Sequence, residues 1–147
     1  FPLEKIDLSD MKKLIAEKCY DEKAGMFRSY IGEKTYTEFG NALCLSIGLG
    51  GEDLAEKITH GKALKATLAA AAYVYDALLS FGKKYEDHVI NEIDENYKKM
   101  LDAGATSFWE TVEGVEDGDL SCSLCHGWSA LPIYYYALTG RIKFSKE

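Results

Sequence analysis

The chain has 147 residues, of which 47% are hydrophobic and only two are proline. This length and composition indicate one globular domain and exclude a disordered or low-complexity segment. The formal net charge of −7, without any block of Lys or Arg, argues against binding to nucleic acid or to a membrane surface.

The first ten residues, FPLEKIDLSD, lack the basic region and apolar stretch of a signal peptide. The longest apolar stretch, residues 68–79, contains Asp76 and is too short to cross a bilayer. We therefore expect a cytoplasmic protein without a membrane segment. Its four cysteines should be reduced thiols: Cys19, Cys44, Cys122 and Cys125.

Apolar residues recur at helical spacing along most of the chain. Ser9 can cap a first helix, whose apolar residues begin at Met11. A loop is expected over residues 21–31 because glycines interrupt the pattern there. A second helix is predicted over about 37–47, ended by the run GLGG, and a third over about 52–60.

Two longer apolar stripes follow, over residues 64–79 and 85–101, each with a glycine just beyond its end. A loop rich in Gly, Glu and Asp is expected over 112–121, and a last helix over about 124–138. No segment alternates long enough to predict a half-buried strand. The fold class is therefore all-α, built of antiparallel helix hairpins.

Two segments near the C-terminal end carry candidate chemistry: GATSFWE at residues 104–110 and SLCHGWSA at residues 123–130. They bring two tryptophans, a carboxylate and an imidazole close in sequence. Aromatic faces bind the C–H face of a sugar ring, while polar and charged groups bind its hydroxyls. Glycoside hydrolysis further needs two carboxyl groups that flank the bond.

Together the segments resemble the end of the catalytic domain in bacterial α-L-rhamnosidases and related six-hairpin glycosidases, of the family 78 type. There a GAT-x-x-WE segment precedes S-L-C/N-H-G-W-S-A. Residues 36–49, YTEFGNALCLSIGL, are similar to an earlier helix of that family. The resemblance covers most of the chain and is strongest after Met100. The matching residues are Gly104, Ala105, Thr106, Trp109, Glu110, Ser123, Leu124, Cys125, His126, Gly127, Trp128, Ser129 and Ala130.

The resemblance implies an (α/α)6 toroid, an inverting mechanism and a glycoside or oligosaccharide substrate with a terminal deoxysugar such as L-rhamnose. Glu110 matches the general base that activates water, and His126 matches a residue that contacts the substrate. Trp109 and Trp128 would shape the sugar pocket. No cofactor and no metal are expected.

A complete toroid of twelve helices needs about 200–300 residues, which is more than this chain offers. In the family, the general acid lies upstream of the matching segments. We therefore expect residues 1–147 to form a single helical domain that is the C-terminal portion of the catalytic domain, a partial toroid that is inactive alone. Its uncovered apolar faces should pair with a second copy or with the missing N-terminal half. A non-catalytic half-barrel for oligomerisation or carbohydrate binding is the alternative.

Other interpretations of the same residues stay open. The string Cys122-Ser-Leu-Cys125-His126 has the spacing of a c-type haem attachment site, and the same three side chains could contribute to a zinc site. Glu110 could be a surface carboxylate, His126 a partly buried histidine, and both tryptophans core residues.

Overall fold

The structure is a computed structural model that describes residues 8–61, 63–114 and 122–143. The chain divides into two compact units, the first ending at Ala66 and the second beginning at Thr67. The described residues form six α-helices and two strands of two residues each. The predicted all-α class is therefore confirmed.

The first unit contains three helices and one small hairpin. Helix α1 (Leu8–Cys19) leads into antiparallel strands β1 (Tyr20–Asp21) and β2 (Met26–Phe27), followed by α2 (Glu38–Ser46) and α3 (Glu52–His60). The hairpin lies where a loop over 21–31 was predicted, so that prediction is wrong in part. Strands of two residues are too short to produce an alternating pattern.

Helix α1 differs from the other helices in having no buried residue. Leu8, Met11 and Leu14 are 64%, 52% and 55% exposed, although their spacing places them on one face. Ser9 lies inside the helix, which begins at Leu8, so its predicted role as the cap is wrong. The unit therefore presents an apolar helix face to its surroundings.

A buried amide joins the hairpin to α2. Asn41 is 0% exposed, and its Oδ1 accepts the Phe27 N–H at 2.8 Å. Its Nδ2 donates to the carbonyls of Phe27 at 3.0 Å and Thr37 at 2.9 Å. One side chain thus satisfies backbone groups of both β2 and the start of α2.

The start of α2 agrees with the sequence. Thr37 is the N-cap, and its side chain accepts the Gly40 N–H at 3.1 Å. Thr37 also forms a parallel bridge with Leu64, so Leu64 is extended and lies outside the helix predicted to contain it. Glu38 is buried, with its carboxylate on Lys65 Nζ at 2.9 Å and on the Ala66 N–H at 3.1 Å.

The second unit is built from α4 (Leu68–Leu79), α5 (Glu86–Asp102) and α6 (Pro132–Leu138), with 3-10 turns at Lys83–Tyr85 and Gly127–Ser129. Apolar faces of these helices form its core. The rings of Tyr75 and Tyr135 meet edge to face with centroids 5.1 Å apart. Core residues include Leu68, Ala71, Val74, Tyr75, Leu78, Val89, Ile90, Ile93, Met100 and Tyr135.

Two predicted boundaries in this unit are wrong. Helix α4 begins at Leu68 rather than at residue 64, and the last helix begins at Pro132 rather than at residue 124. Proline lacks an N–H and is suited to the first helical turn. Residues 115–121 of the predicted loop lie outside the described residues. Across the described parts of the chain, none of the helices has the length and apolarity needed to cross a membrane.

Candidate active site

The segments GATSFWE and SLCHGWSA lie side by side in the second unit. The Glu110 N–H donates to the Ser123 carbonyl at 2.8 Å, and the His126 N–H donates to the Phe108 carbonyl at 2.7 Å. The hydroxyl of Ser107 donates to the carbonyl of Leu124. We call this arrangement, residues 107–110 against 123–126, the motif pair. It brings Glu110 and His126, separated by sixteen positions, onto one antiparallel backbone framework.

The Glu110 side chain is tied to the partner segment. Its Oε2 accepts the Ser123 N–H at 2.9 Å, and the residue is partly exposed. The same two residues are therefore joined by a backbone and a side-chain hydrogen bond. A carboxylate that is oriented in this way and remains accessible to solvent can accept a proton from water.

Trp109 is held by a glycine turn. Gly114 has φ +60°, and its N–H donates to Thr111 Oγ1 at 3.1 Å. A Cβ at Gly114 would lie 2.6 Å from the Trp109 ring carbon Cε3. The glycine therefore allows the backbone to lie directly against the Trp109 indole.

His126 is anchored through its backbone on both sides. Its N–H is bonded within the motif pair, and its carbonyl accepts the Ser129 N–H at 3.1 Å. The carbonyl of Ser129 in turn accepts the hydroxyl of Tyr97. Burial raises the pKa of Tyr97 to about 12, so its hydroxyl stays protonated and able to donate at neutral pH. Helix α5 thus supports the turn that follows the partly exposed His126.

Trp128 lies in the 3-10 turn and is 68% exposed, so it is not a core residue. It lines an open groove of about 620 Å³ on α4, which we call the Trp128 groove. Tyr73 and Asp76 of α4 line the same groove. The full lining is Ala69, Ala72, Tyr73, Asp76, Gly127, Trp128 and Leu131.

Sequence reasoning did not select Tyr73 and Asp76. Both lie in the apolar stretch of α4, where Asp76 is the charged residue that interrupts the pattern. A charged residue inside an otherwise apolar helix is the signal that could have found the groove, since such a side chain needs water or a polar partner.

The cysteines are the basis of the alternative sites. All four cysteines are free thiols, and Cys122 Sγ accepts the Thr111 hydroxyl at 3.9 Å. Within residues 8–61, 63–114 and 122–143, no three His, Cys, Asp or Glu side chains are grouped in a way that could hold a metal ion. Burial, and next the nearby Cys19, raise the pKa of Cys44 to about 11. Cys44 is therefore an inert core thiol.

The fold of this chain is also found in a solved structure. No protein-family model matches the chain, and no curated protein matches it. A solved structure to which it is similar is the rhamnosidase from Klebsiella oxytoca with rhamnose bound, with a TM-score of 0.71 and 20% sequence identity. The match covers 90% of this chain and 28% of that chain. The chain therefore has a rhamnosidase-like fold and spans little more than a quarter of that enzyme's length.

Proposed function

We propose that this chain is the C-terminal part of the catalytic domain of an inverting glycoside hydrolase that acts on α-L-rhamnosides, with Glu110 as the general base. The observation that carries the proposal is the motif pair. It holds Glu110 through Ser123 and places His126 on the same framework. The rhamnosidase-like fold adds independent support.

In this proposal the Glu110 carboxylate takes a proton from a water molecule as the water attacks the anomeric carbon. An inverting reaction needs a carboxylic acid on the opposite side of the ring, to protonate the leaving oxygen. His126 would contact the sugar, and Trp109 would form part of the pocket wall.

In this proposal the general acid is a residue outside this chain. One carboxylate cannot act on both faces of a sugar ring in one step. The isolated chain should therefore show no turnover of an aryl α-L-rhamnoside. Robust turnover by the chain alone would overturn the view that the catalytic set is incomplete.

The role of Glu110 can be tested in a polypeptide that joins this chain to the preceding helices of its barrel. There Glu110→Gln should lower kcat by roughly a thousandfold, since general-base catalysis contributes about 10²–10⁴-fold. Glu113→Gln, a change at an exposed carboxylate three residues away, is the matched control and should retain kcat. Wild-type kcat in Glu110→Gln would reject Glu110 as the base.

A second proposed function is association through α1. The exposed face of Leu8, Met11 and Leu14 supports it, because a row of large apolar side chains is usually covered in the functional assembly. The partner would be a second copy or the N-terminal half of the barrel. Light scattering of the isolated chain at micromolar concentration should show a dimer or larger species that Met11→Lys disperses, with Lys12→Glu as the control. A monomer would reject self-association.

A further inference from the structure

The Trp128 groove combines features that bind sugars. Trp128 and Tyr73 are 68% and 50% exposed and lie on two different elements that line the same groove. An exposed indole face is an energetically favourable surface for the C–H face of a pyranose ring. The lining also contains the small apolar residues Ala69 and Ala72 of α4, which leave room for a sugar ring.

The Asp76 carboxylate of the groove is oriented by the buried Tyr135. The hydroxyl of Tyr135 donates to Asp76 Oδ1 at 2.9 Å and lies 3.1 Å from the Ala72 carbonyl. Burial, and next the hydrogen bond to Asp76, raise the pKa of Tyr135 far above its usual range. Tyr135 therefore remains a donor at neutral pH, and it fixes one oxygen of a carboxylate that is otherwise exposed.

A second carboxylate in this unit, Asp94, can be compared with Asp76. Asp94 on α5 also accepts a tyrosine hydroxyl, from Tyr136 of α6, and is also exposed. Asp94 does not belong to the lining of the Trp128 groove, and that groove is where an exposed indole lies. Asp76 and Asp94 thus each accept a tyrosine hydroxyl, but only Asp76 lines the groove that contains Trp128.

We propose that the Trp128 groove is a carbohydrate subsite, in which a pyranose ring stacks on Trp128 and donates hydroxyl hydrogen bonds to the Asp76 carboxylate. The inference rests on the proposed function, because it names a binding place for that enzyme's glycan. It adds Asp76 and Tyr73 as specificity-determining residues that neither motif contains.

The chain has only two tryptophans, so the indole N–H of Trp128 can be assigned by comparing Trp109→Phe with Trp128→Phe. L-Rhamnose titrated over the millimolar range should shift the Trp128 indole signal in a saturable manner. Asp76→Asn keeps an oxygen acceptor for Tyr135 but removes the charge, and it should weaken binding roughly tenfold, as expected for a hydrogen bond to a charged group. Asp94→Asn is the matched control and should bind as wild type.

Trp128→Ala removes the indole whose signal reports binding, so binding to this variant is measured on the ligand instead. Saturation transfer from protein to L-rhamnose should be lost in Trp128→Ala and reduced in Tyr73→Ala, but retained in Tyr30→Ala, where an exposed ring of the first unit is removed. No shift of the Trp128 signal in wild type, or equal weakening by Asp76→Asn and Asp94→Asn, would overturn the subsite. These measurements report binding alone, so a dispensable Glu110 would reject the general base and leave the subsite standing.

Discussion

The two carboxylates Asp21 and Glu110 are built into the chain in opposite ways. Asp21 is buried and receives donors from Arg28 and Tyr36 at 2.7 and 2.8 Å on one oxygen. Its other oxygen accepts the N–H groups of residues 23 and 24 at 3.0 and 3.3 Å. Glu110 is partly exposed and bound by the Ser123 N–H.

A strongly lowered pKa does not by itself identify a catalytic carboxylate. The hydrogen bonds from Arg28 and Tyr36 hold the pKa of Asp21 far below its usual range. Perturbed pKa values cluster at functional sites, but structural ion-pair networks produce them too. Asp21 lies in the hairpin, and its donors come from residues 23, 24, 28 and 36 of the same unit. Exposure and neighbours, rather than the size of a pKa shift, separate structural from candidate catalytic carboxylates here.

The largest stability effect should come from the buried polar framework of the first unit. Asn41→Leu removes the buried side-chain partner of the Phe27 N–H and of the Phe27 carbonyl, while the Thr37 carbonyl keeps the N–H of residue 41 at 3.1 Å. We expect a loss of about 3 kcal/mol in the free energy of unfolding, because each orphaned buried group costs about 1–3 kcal/mol. Urea unfolding followed by circular dichroism measures it. Asn91→Leu, at an exposed position of α5, should change stability by at most about 0.5 kcal/mol.

The second effect is the acid sensitivity that Asp21 confers. Its pKa is lowered in the folded state, so its stabilisation is fully present above the unfolded carboxyl pKa of about 3.9 and is lost as the pH falls below it. Asp21→Asn should flatten the fall of stability in this window. Tyr36→Phe, which removes one donor but keeps the ring, should flatten it in part. Identical acid profiles of wild type and Asp21→Asn would contradict this role.

The sequence predicted the helical class and a second helix that begins near Thr37, because these depend on local spacing and residue type. The end of α5 was also predicted correctly, since Gly104 at φ +88° follows it. Local patterns are sufficient where neighbours along the chain determine the structure.

The failures depend on contacts between distant residues. The span 124–131 was predicted to be helical from its apolar content, but residues 123–126 pair with 107–110 instead. Leu64 was assigned to α4, but its backbone pairs with Thr37. The exposure of α1 was missed because its spacing is that of a buried face, and spacing does not tell what covers the face.

The third effect is a loss of stability at alkaline pH that depends on Tyr97. Burial raises the pKa of Tyr97 to about 12, so its stabilisation is present below the unfolded pKa of about 10 and is lost between pH 10 and pH 12. Tyr97→Phe should flatten the alkaline fall of stability. It should also cost about 1 kcal/mol near neutral pH, through the lost bond to the Ser129 carbonyl. Equal alkaline slopes would show that the hydroxyl is not buried in solution.

The smallest stability effect should be at the proposed general base. Glu110→Gln keeps an oxygen that can accept the Ser123 N–H, and a partly exposed side chain gains little from burial. We expect the free energy of unfolding to change by at most about 0.5 kcal/mol, while Asn41→Leu changes it several times more. A large loss of stability in Glu110→Gln would place this carboxylate in the same class as Asp21, as a structural group. A small loss combined with the expected loss of kcat would separate the two classes, because the catalytic carboxylate would then matter to the reaction and little to folding.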